Sequence, residues 1–201
     1  MALERSVIIA AALDLLDEVG LEGLTMRKLA EKLGVQAPSI YWHFSGKPAL
    51  LDDMADAMLA DMPTHFRTDA GPDEVLRLTA ERMREALLAR REGARVYAGT
   101  FVARDNIFRV ADATMQALAK VDVQGTLAAN AVFTVFYFVL GFVIEEQARQ
   151  SLTEERSKEL QQQSERLPAT KALLSGLIAF DDDRRFQAGL DLILSGWTSA
   201  R

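Results

Sequence analysis

Apolar residues recur every three or four positions along most of the chain, which is the spacing of one face of an α-helix. The first such segment covers residues 4–19, places Ile8, Ala12 and Leu16 on one stripe, and ends at Gly20. The remaining segments predict helices at about 47–62, 73–90, 94–99, 106–120, 124–150 and 184–198. No segment shows the two-residue alternation of a half-buried strand. The pattern therefore predicts an all-α protein.

Residues 25–47 predict two short helices separated by a tight break. Leu29 and Leu33 lie one helical turn apart and give the first helix an apolar face. Gly34 follows at the helix end, where a residue that readily adopts positive φ is favoured. Pro38 suits the first turn of the second helix, because its missing N–H costs nothing there.

The second of these helices separates apolar from polar side chains. Ile40 and Phe44 point to one side of it. The other faces carry Ser39, Tyr41, Trp42 and His43. Two helices joined by a short turn, with hydrogen-bonding groups on the second, are what a DNA-reading helix-turn-helix requires. An ordinary αα-hairpin within a helical bundle is the alternative interpretation.

A change in composition divides the chain. Pro63, Gly71 and Pro72 interrupt the helical pattern and mark the main domain boundary. We therefore expect a helix-turn-helix domain at 1–46, a connecting helix and linker at 47–66, and a larger helical domain at 67–201. Residues 151–170 are polar and rich in glutamine, which predicts a mobile surface segment with a loose helix inside it.

The residues from Val123 to Ile144 include no charged side chain, so their length and composition suit a membrane span. Polar residues such as Asn130 and Thr134 interrupt this run, and no cluster of Lys or Arg flanks it. A helix buried in a bundle or a subunit interface is the favoured interpretation. A membrane-associated protein anchored by residues 123–144 is the alternative.

The whole chain is acidic, and only the segment around residues 25–48 has the positive charge that DNA binding favours. The 201-residue chain carries a formal charge of −6, unlike many nucleic-acid binders. Residues 25–48 nevertheless hold four cationic side chains against Glu31 alone. Phosphate attraction depends on charge near the docking face, because more distant charges are screened within roughly 10 Å. The chain has no cysteine and no visible signal peptide, so we expect a cytoplasmic protein.

The chain lacks the sequence features of the common enzyme classes. Its only histidines, His43 and His65, have no glutamate three residues before them, which a di-iron bundle would require. No nucleophile-elbow motif and no glycine-rich phosphate loop is present. We therefore expect neither an enzyme nor a bound cofactor or metal.

The run LTMRKLAEKLGVQAPSIYWHF resembles the DNA-binding domain of the TetR family of bacterial repressors. Two later runs, ALLARREGARVYAGT and LGFVIEEQ, are similar to the ligand-binding domain of tetracycline-responsive members of that family. This resemblance implies a homodimeric regulator with three helices for DNA binding and a connecting fourth helix. It also implies that the segments 124–150 and 184–198 form a four-helix interface with the same segments of a partner.

The resemblance assigns DNA contacts to nine positions. They are Arg27, Gln36, Ala37, Pro38, Ser39, Tyr41, Trp42, His43 and Lys47. Arg27 can form paired hydrogen bonds with guanine, and Gln36 with adenine. Tyr41 and Lys47 suit phosphate contacts, which set the register without reading sequence. Trp42 has a structural alternative, which is packing beneath the helix.

The same resemblance assigns an effector pocket. Its positions are Pro63, Thr79, Met83, Tyr97, Thr100, Phe101, Tyr137 and Glu145. Family members that bind a magnesium–drug chelate use histidines at two of these positions, where this chain has Pro63 and Tyr97. Mg²⁺ requires near-octahedral ligands, and proline supplies none. We therefore expect an aromatic or mostly apolar effector that binds without metal.

These observations predict a transcriptional regulator, most simply a repressor that a small molecule releases from palindromic operator DNA. The helix at 47–62 would join the DNA-reading segment to the pocket, so a shift at its Pro63 end could move the recognition helix. A ligand-sensing module without DNA binding is a further alternative.

Overall fold

The computed structural model describes residues 3–100, 104–150, 153–166 and 181–198. All regular secondary structure in these ranges is helical, and no strand occurs in them. The predicted all-α fold is therefore confirmed. The chain divides into two compact units, one up to Ile144 and one from Glu145. This division does not test the predicted domain boundaries near residues 46 and 66, which stay a prediction.

The helices of the described ranges follow in chain order. They are α1 (Arg5–Gly23), α2 (Met26–Leu33), α3 (Ala37–Tyr41), α4 (Lys47–Met58), α5 (Pro72–Leu88), α6 (Gly93–Ala98), α7 (Asp105–Ala119), α8 (Gly125–Arg149), α9 (Glu154–Arg166) and α10 (Asp182–Thr198).

The first three helices enclose a small apolar core, which α4 also joins. Ile8, Leu29 and Ile40 have no exposed surface. The predicted end of the first helix at Gly20 coincides with a kink, because Gly20 has φ +73° and ψ 174°. One more helical turn follows this kink, so α1 reaches Gly23 and not Gly20.

The break between α2 and α3 is the one that the residues predicted. Gly34 has φ +66° in the left-handed region, which costs glycine little. Thr25 caps the start of α2, where its hydroxyl accepts a hydrogen bond from the backbone N–H of Lys28 at 3.2 Å. Pro38 lies in the first turn of α3. Local sequence therefore determines where both helices begin and end.

The connecting helix α4 is shorter than predicted. The helix from Lys47 ends at Met58 and not at residue 62, and irregular chain continues to Gly71. The next helix begins at Pro72, one residue before the predicted start, and Gly71 is its N-cap. Proline is favoured at the first helical position, where an N–H would have no partner.

Helices α4 and α7 cap each other. The Asp56 carboxylate of α4 accepts hydrogen bonds from the backbone N–H groups of Asn106 and Ile107 at 2.9 and 3.1 Å, in the first turn of α7. In return, the guanidinium of Arg109 on α7 donates to the carbonyls of Leu59 and Ala60 after the end of α4, at 3.2 and 2.7 Å. Terminal N–H and C=O groups lack partners within their own helix, so this exchange fixes the two helix ends together.

The uncharged run lies in the 25-residue helix α8. By length and composition this helix could cross a membrane, with a mean hydropathy of 2.2 over its most apolar 18 residues. One stripe of it is buried, at Ala128, Val135 and Val139. Phe133 and Tyr137 on other faces remain exposed. The rest of the same chain therefore buries only one side of α8.

The second unit contains the end of α8 together with α9 and α10. Helix α9 lies within the polar segment 151–170 and confirms the helix predicted there. On α10, Phe186, Leu190 and Leu194 are buried at helical spacing, whereas Leu192 is exposed. Arg149 forms an ion pair with Asp182 within this unit.

Candidate nucleic-acid interface and ligand cavity

Helix α3 exposes one face of the predicted DNA-reading segment. Gln36 is its N-cap and is exposed, as is Pro38, whereas Ala37 and Ser39 are half-buried. The backbone N–H of Ser39 donates to the carbonyl of Gln36 at 2.9 Å, which closes the first turn. The start of the helix therefore presents small and amide side chains to the surface.

Two aromatic side chains project from the end of the same helix. Tyr41 is 53% exposed and Trp42 is 90% exposed. Trp42 therefore does not pack beneath the helix, and the structural alternative for it was wrong. Ile40 and Phe44 fill the core in its place, with 0% and 1% exposure. An indole this exposed without a ligand is available for contact with a partner molecule.

The nearby cationic side chains differ in their availability. Arg27 on α2 is exposed and pairs with Glu31 one turn later, at 3.1 Å. Lys47 is half-buried, and its ammonium donates to the carbonyl of Leu21 at 2.6 Å. This hydrogen bond joins the start of α4 to the end of α1. Lys47 thus has a structural role in addition to its predicted phosphate contact.

His43 is half-buried behind the aromatic pair. Its carbonyl accepts a hydrogen bond from Arg5 Nη1 at 2.5 Å, and its N–H donates to the carbonyl of Ile40 at 2.9 Å. Both the N–H and the C=O group of His43 therefore form hydrogen bonds.

Helices α5, α6, α7 and α8 and the chain after α4 enclose a cavity of about 540 Å³. It brings together Thr79, Met83, Tyr97, Thr100 and Tyr137, which are five of the eight predicted pocket residues. Phe108, Phe133 and Tyr137 line it and are also exposed, so the cavity opens to the surface. None of the side chains that line it in the described part of the chain is charged.

Three predicted pocket residues do not line this cavity. Pro63 lines a different cavity together with Arg82 and Glu85, whereas its neighbour Met62 lines both cavities. Glu145 is exposed and belongs to the second unit. Phe101 lies outside the described residues.

Helices α7 and α8 supply most of the lining that the predictions missed. These residues are Ile107, Phe108, Val110, Ala111, Thr114, Val132, Phe133, Val135, Phe136 and Leu140. Their spacing of three or four residues is visible in the sequence and could have indicated a shared face. Periodicity alone does not distinguish a face that lines a cavity from one that packs in a core.

Hydroxyl groups are the main polar groups of the cavity. Thr79 donates to the carbonyl of Val75 at 2.9 Å, and Thr114 donates to the carbonyl of Val110 at 2.8 Å. Since each hydroxyl has only one proton, both oxygens offer lone pairs to the cavity. The Thr100 hydroxyl donates to the carbonyl of Tyr97 at 2.7 Å. The three threonine hydroxyls therefore offer acceptors, and not donors, to a ligand in the cavity.

Aromatic rings form one wall. Tyr97 and Phe136 have ring centroids 5.6 Å apart, and Phe136 and Tyr137 meet edge to face at the same separation. Burial, followed by the negative charge of Asp56, raises the pKa of Tyr97 to about 12. The phenol is therefore neutral at physiological pH.

The cavity does not fit a magnesium ion. No group of three or more His, Asp or Glu side chains that could hold a metal occurs among the described residues. Threonine hydroxyls and a protonated phenol are poor substitutes for the carboxylates and waters that Mg²⁺ prefers. An uncharged aromatic molecule matches the lining better, because an unpaired charge is costly to bury.

Known families match both parts of the chain. Residues 8–54 match the model of bacterial regulatory proteins of the tetR family, and residues 70–200 match the tetracyclin repressor-like C-terminal domain. The class A tetracycline repressor from transposon 1721 of Escherichia coli is 43% identical over 99% of this chain and 92% of its own length. The class C repressor of Escherichia coli is 40% identical over the same shares.

Solved structures agree with these matches. A possible TetR family transcriptional regulator from Streptomyces coelicolor A3(2) superposes with a TM-score of 0.88, at 35% identity, over 98% of this chain and 100% of that one. ActR of the same species, in complex with (S)-DNPA, gives 0.86 at 26% identity, over 100% and 99%. The class A repressor with 5a,6-anhydrotetracycline and magnesium gives 0.74 at 39%, over 98% and 99%. The protein belongs to the TetR family of bacterial transcriptional regulators.

Proposed function

We propose that this protein is a cytoplasmic, homodimeric repressor that binds a palindromic operator and is released by an uncharged, mostly aromatic small molecule. The observation that carries the effector class is the 540 Å³ cavity without a charged lining residue. Its hydroxyl oxygens favour a ligand with a hydroxyl or N–H donor. Binding of such a ligand requires no metal.

The exposed face of α3 supports the DNA-binding part of the proposal. Gln36 and Pro38 at its start would meet base edges, and Tyr41 and Trp42 at its end would contact the sugar-phosphate backbone. Arg27 would contribute from α2 once a guanine base competes with Glu31 for its guanidinium. Ala37, Ser39, His43 and Lys47 complete the proposed interface.

The exposed apolar side chains of α8 and α10 support a dimer. Leu127 on α8 and Leu192 on α10 are exposed and do not line the cavity, so each would become buried against a second copy. A dimer would read two half-sites about one turn of DNA apart, so a small change in the spacing of its recognition helices would weaken both contacts.

The DNA-binding part is tested by selection from random double-stranded DNA, followed by gel filtration of the protein alone and with the selected sequence. We expect a palindromic consensus and a soluble dimer. Recovery of random sequences would contradict the DNA-binding part and favour a ligand-sensing module. Protein that requires detergent for extraction would favour the membrane-associated alternative.

The effector part is tested by calorimetric titration with magnesium–tetracycline and, separately, with 1-naphthol. The class A relative has been solved with a tetracycline derivative and magnesium. Here we expect 1-naphthol to bind equally well with and without a chelator. Micromolar or tighter binding of magnesium–tetracycline that is lost on chelation would refute a metal-free effector.

A further inference from the structure

Asp53, on the connecting helix α4, is ion-paired with an arginine on each side, one on α1 and one at the start of α7. Its Oδ2 lies 2.5 Å from Nε of Arg5 on α1. Its Oδ1 lies 3.1 Å from Nη2 of Arg104, the N-cap of α7. The Asp53 side chain is only 11% exposed. One nearly buried carboxylate therefore joins three helices.

Arg5 continues this chain of contacts to the DNA-reading segment. Its Nη1 donates to the carbonyl of His43 at 2.5 Å. Its guanidinium lies over the Phe44 ring, 4.2 Å from the centroid. His43 and Phe44 directly follow the exposed Tyr41 and Trp42. Arg5 therefore binds the backbone and the ring that come directly after the two exposed aromatic side chains.

Arg104 continues the chain of contacts to the ligand cavity. It precedes α7, whose Ile107, Phe108, Val110 and Thr114 line the cavity. Since α7 and α4 cap each other through Asp56 and Arg109, a ligand that displaces α7 also acts on α4.

The physical reason for transmission is the cost of an unpaired charge. A carboxylate that is mostly withdrawn from water must keep its cationic partners, because leaving it unpaired is strongly destabilising. If Arg104 moves with α7, Asp53 is drawn after it. Arg5 is then drawn after Asp53 and takes the His43 carbonyl with it.

We propose that Asp53 is a positioning residue that couples the effector cavity to the DNA-reading turn through Arg104 on one side and Arg5 on the other. The regulatory meaning of this coupling rests on the proposed function. The mechanical part does not, because it can be measured in the protein without DNA or effector.

The mechanical part is tested by amide hydrogen exchange, followed by mass spectrometry, on a peptide that spans residues 41–46. We expect Asp53→Ala and Arg104→Gln each to accelerate its exchange by about tenfold. Arg104→Lys, which keeps the charge, should restore part of the protection. The Arg104 variants give the more decisive test, because Arg104 reaches the turn only through Asp53 and Arg5.

Two matched controls remove the same charges outside this chain of contacts. Asp52→Ala removes the adjacent carboxylate of α4, and Arg82→Gln removes a surface arginine that pairs with Glu85. We expect both to exchange like the wild type. Unchanged exchange in Arg104→Gln, or equal acceleration in the controls, would overturn the proposal. Arg104 is 38% exposed, so the fold should survive its replacement.

A second measurement separates this proposal from the proposed function. The dissociation constant of N-phenyl-1-naphthylamine, an uncharged aromatic amine, is measured with and without saturating selected DNA. If the two sites are coupled, the dissociation constant with DNA should exceed the one without DNA by a factor of roughly 5 to 150 in the wild type. Asp53→Ala should bring this factor close to 1. A wild-type ratio of 1 would contradict the proposed effector class, and the exchange data would still decide the role of Asp53.

Discussion

The hydroxyl oxygens of Thr79 and Thr114 lie 3.4 Å apart in the wall of the cavity. Each hydroxyl also donates to the carbonyl four residues before it, so the pair forms a site with two acceptor oxygens. Thr114 is almost fully buried. The pair can therefore accept a hydrogen bond from a donor group on a bound ligand.

Replacement of both residues by valine should remove the acceptors and preserve the shape of the side chains. We expect the double variant to bind 1-naphthol about fivefold more weakly, because one net hydrogen bond contributes about 1 kcal/mol. Naphthalene, which has no donor, serves as the control ligand and should bind at least as tightly as to the wild type. An equal loss for both ligands, measured by calorimetry, would contradict the acceptor role.

Trp42 should report DNA binding by its fluorescence. It is one of two tryptophans in the chain and is 90% exposed. We expect acrylamide to quench its emission strongly in the free protein and weakly in the DNA complex. The measurement uses a Trp197→Phe variant, so that Trp42 is the sole emitter. Quenching that does not change on DNA binding would remove Trp42 from the interface.

Lys47 should affect both DNA affinity and stability. Lys47→Gln should reduce the slope of log affinity against log salt by about 1 per site, as expected for a lost phosphate contact. It should also lower the free energy of unfolding by about 1–2 kcal/mol, since the hydrogen bond to the Leu21 carbonyl is weakened.

Urea unfolding and binding assays at several salt concentrations separate the two effects of Lys47→Gln. Tyr41→Phe is the comparison variant, because it removes one surface hydroxyl and should alter affinity without altering stability. A stability loss with an unchanged salt slope would leave Lys47 with only its structural role.

Asp56 should contribute to stability as a cap supplied by another helix. Asp56→Ala leaves two N–H groups in the first turn of α7 without their carboxylate partner. We expect a loss of about 1–2 kcal/mol in urea unfolding, the range for a removed N-cap. Asp61→Ala, at an exposed position after α4, is the control and should cost less than about 0.5 kcal/mol. Equal losses would indicate a general charge effect.

The Tyr97 phenol should ionise only at a pH well above the ordinary range of a tyrosine. Its pKa is raised to about 12 from 10.0, so the folded state favours the neutral phenol. This contribution to stability is complete below pH 10 and is lost as the pH rises towards 12. We expect absorbance at 295 nm to show one late phenolate, which Tyr97→Phe removes. A Tyr97→Phe titration that matches the wild type would contradict the shift.

Much of the fold could be predicted from local patterns. Helical periodicity identified the described helices, and Gly34 and Pro38 identified the break between α2 and α3, because their backbone constraints act within one or two residues. The resemblance then identified the family. The end of α4 was predicted four residues too late, since Arg109 of α7 binds the carbonyls of Leu59 and Ala60 just after that end, and α7 is distant in sequence.

The all-α class, the two short helices and the family could all be inferred from the residues alone. These depend on backbone preferences and apolar spacing, which are local properties. Three further facts required the packing of the helices: Trp42 is exposed, Met62 and not Pro63 lines the large cavity, and Asp53 lies between Arg5 and Arg104. Those facts depend on which helix faces come together, and a carboxylate on α4 has no local signal that names its partners on α1 and α7.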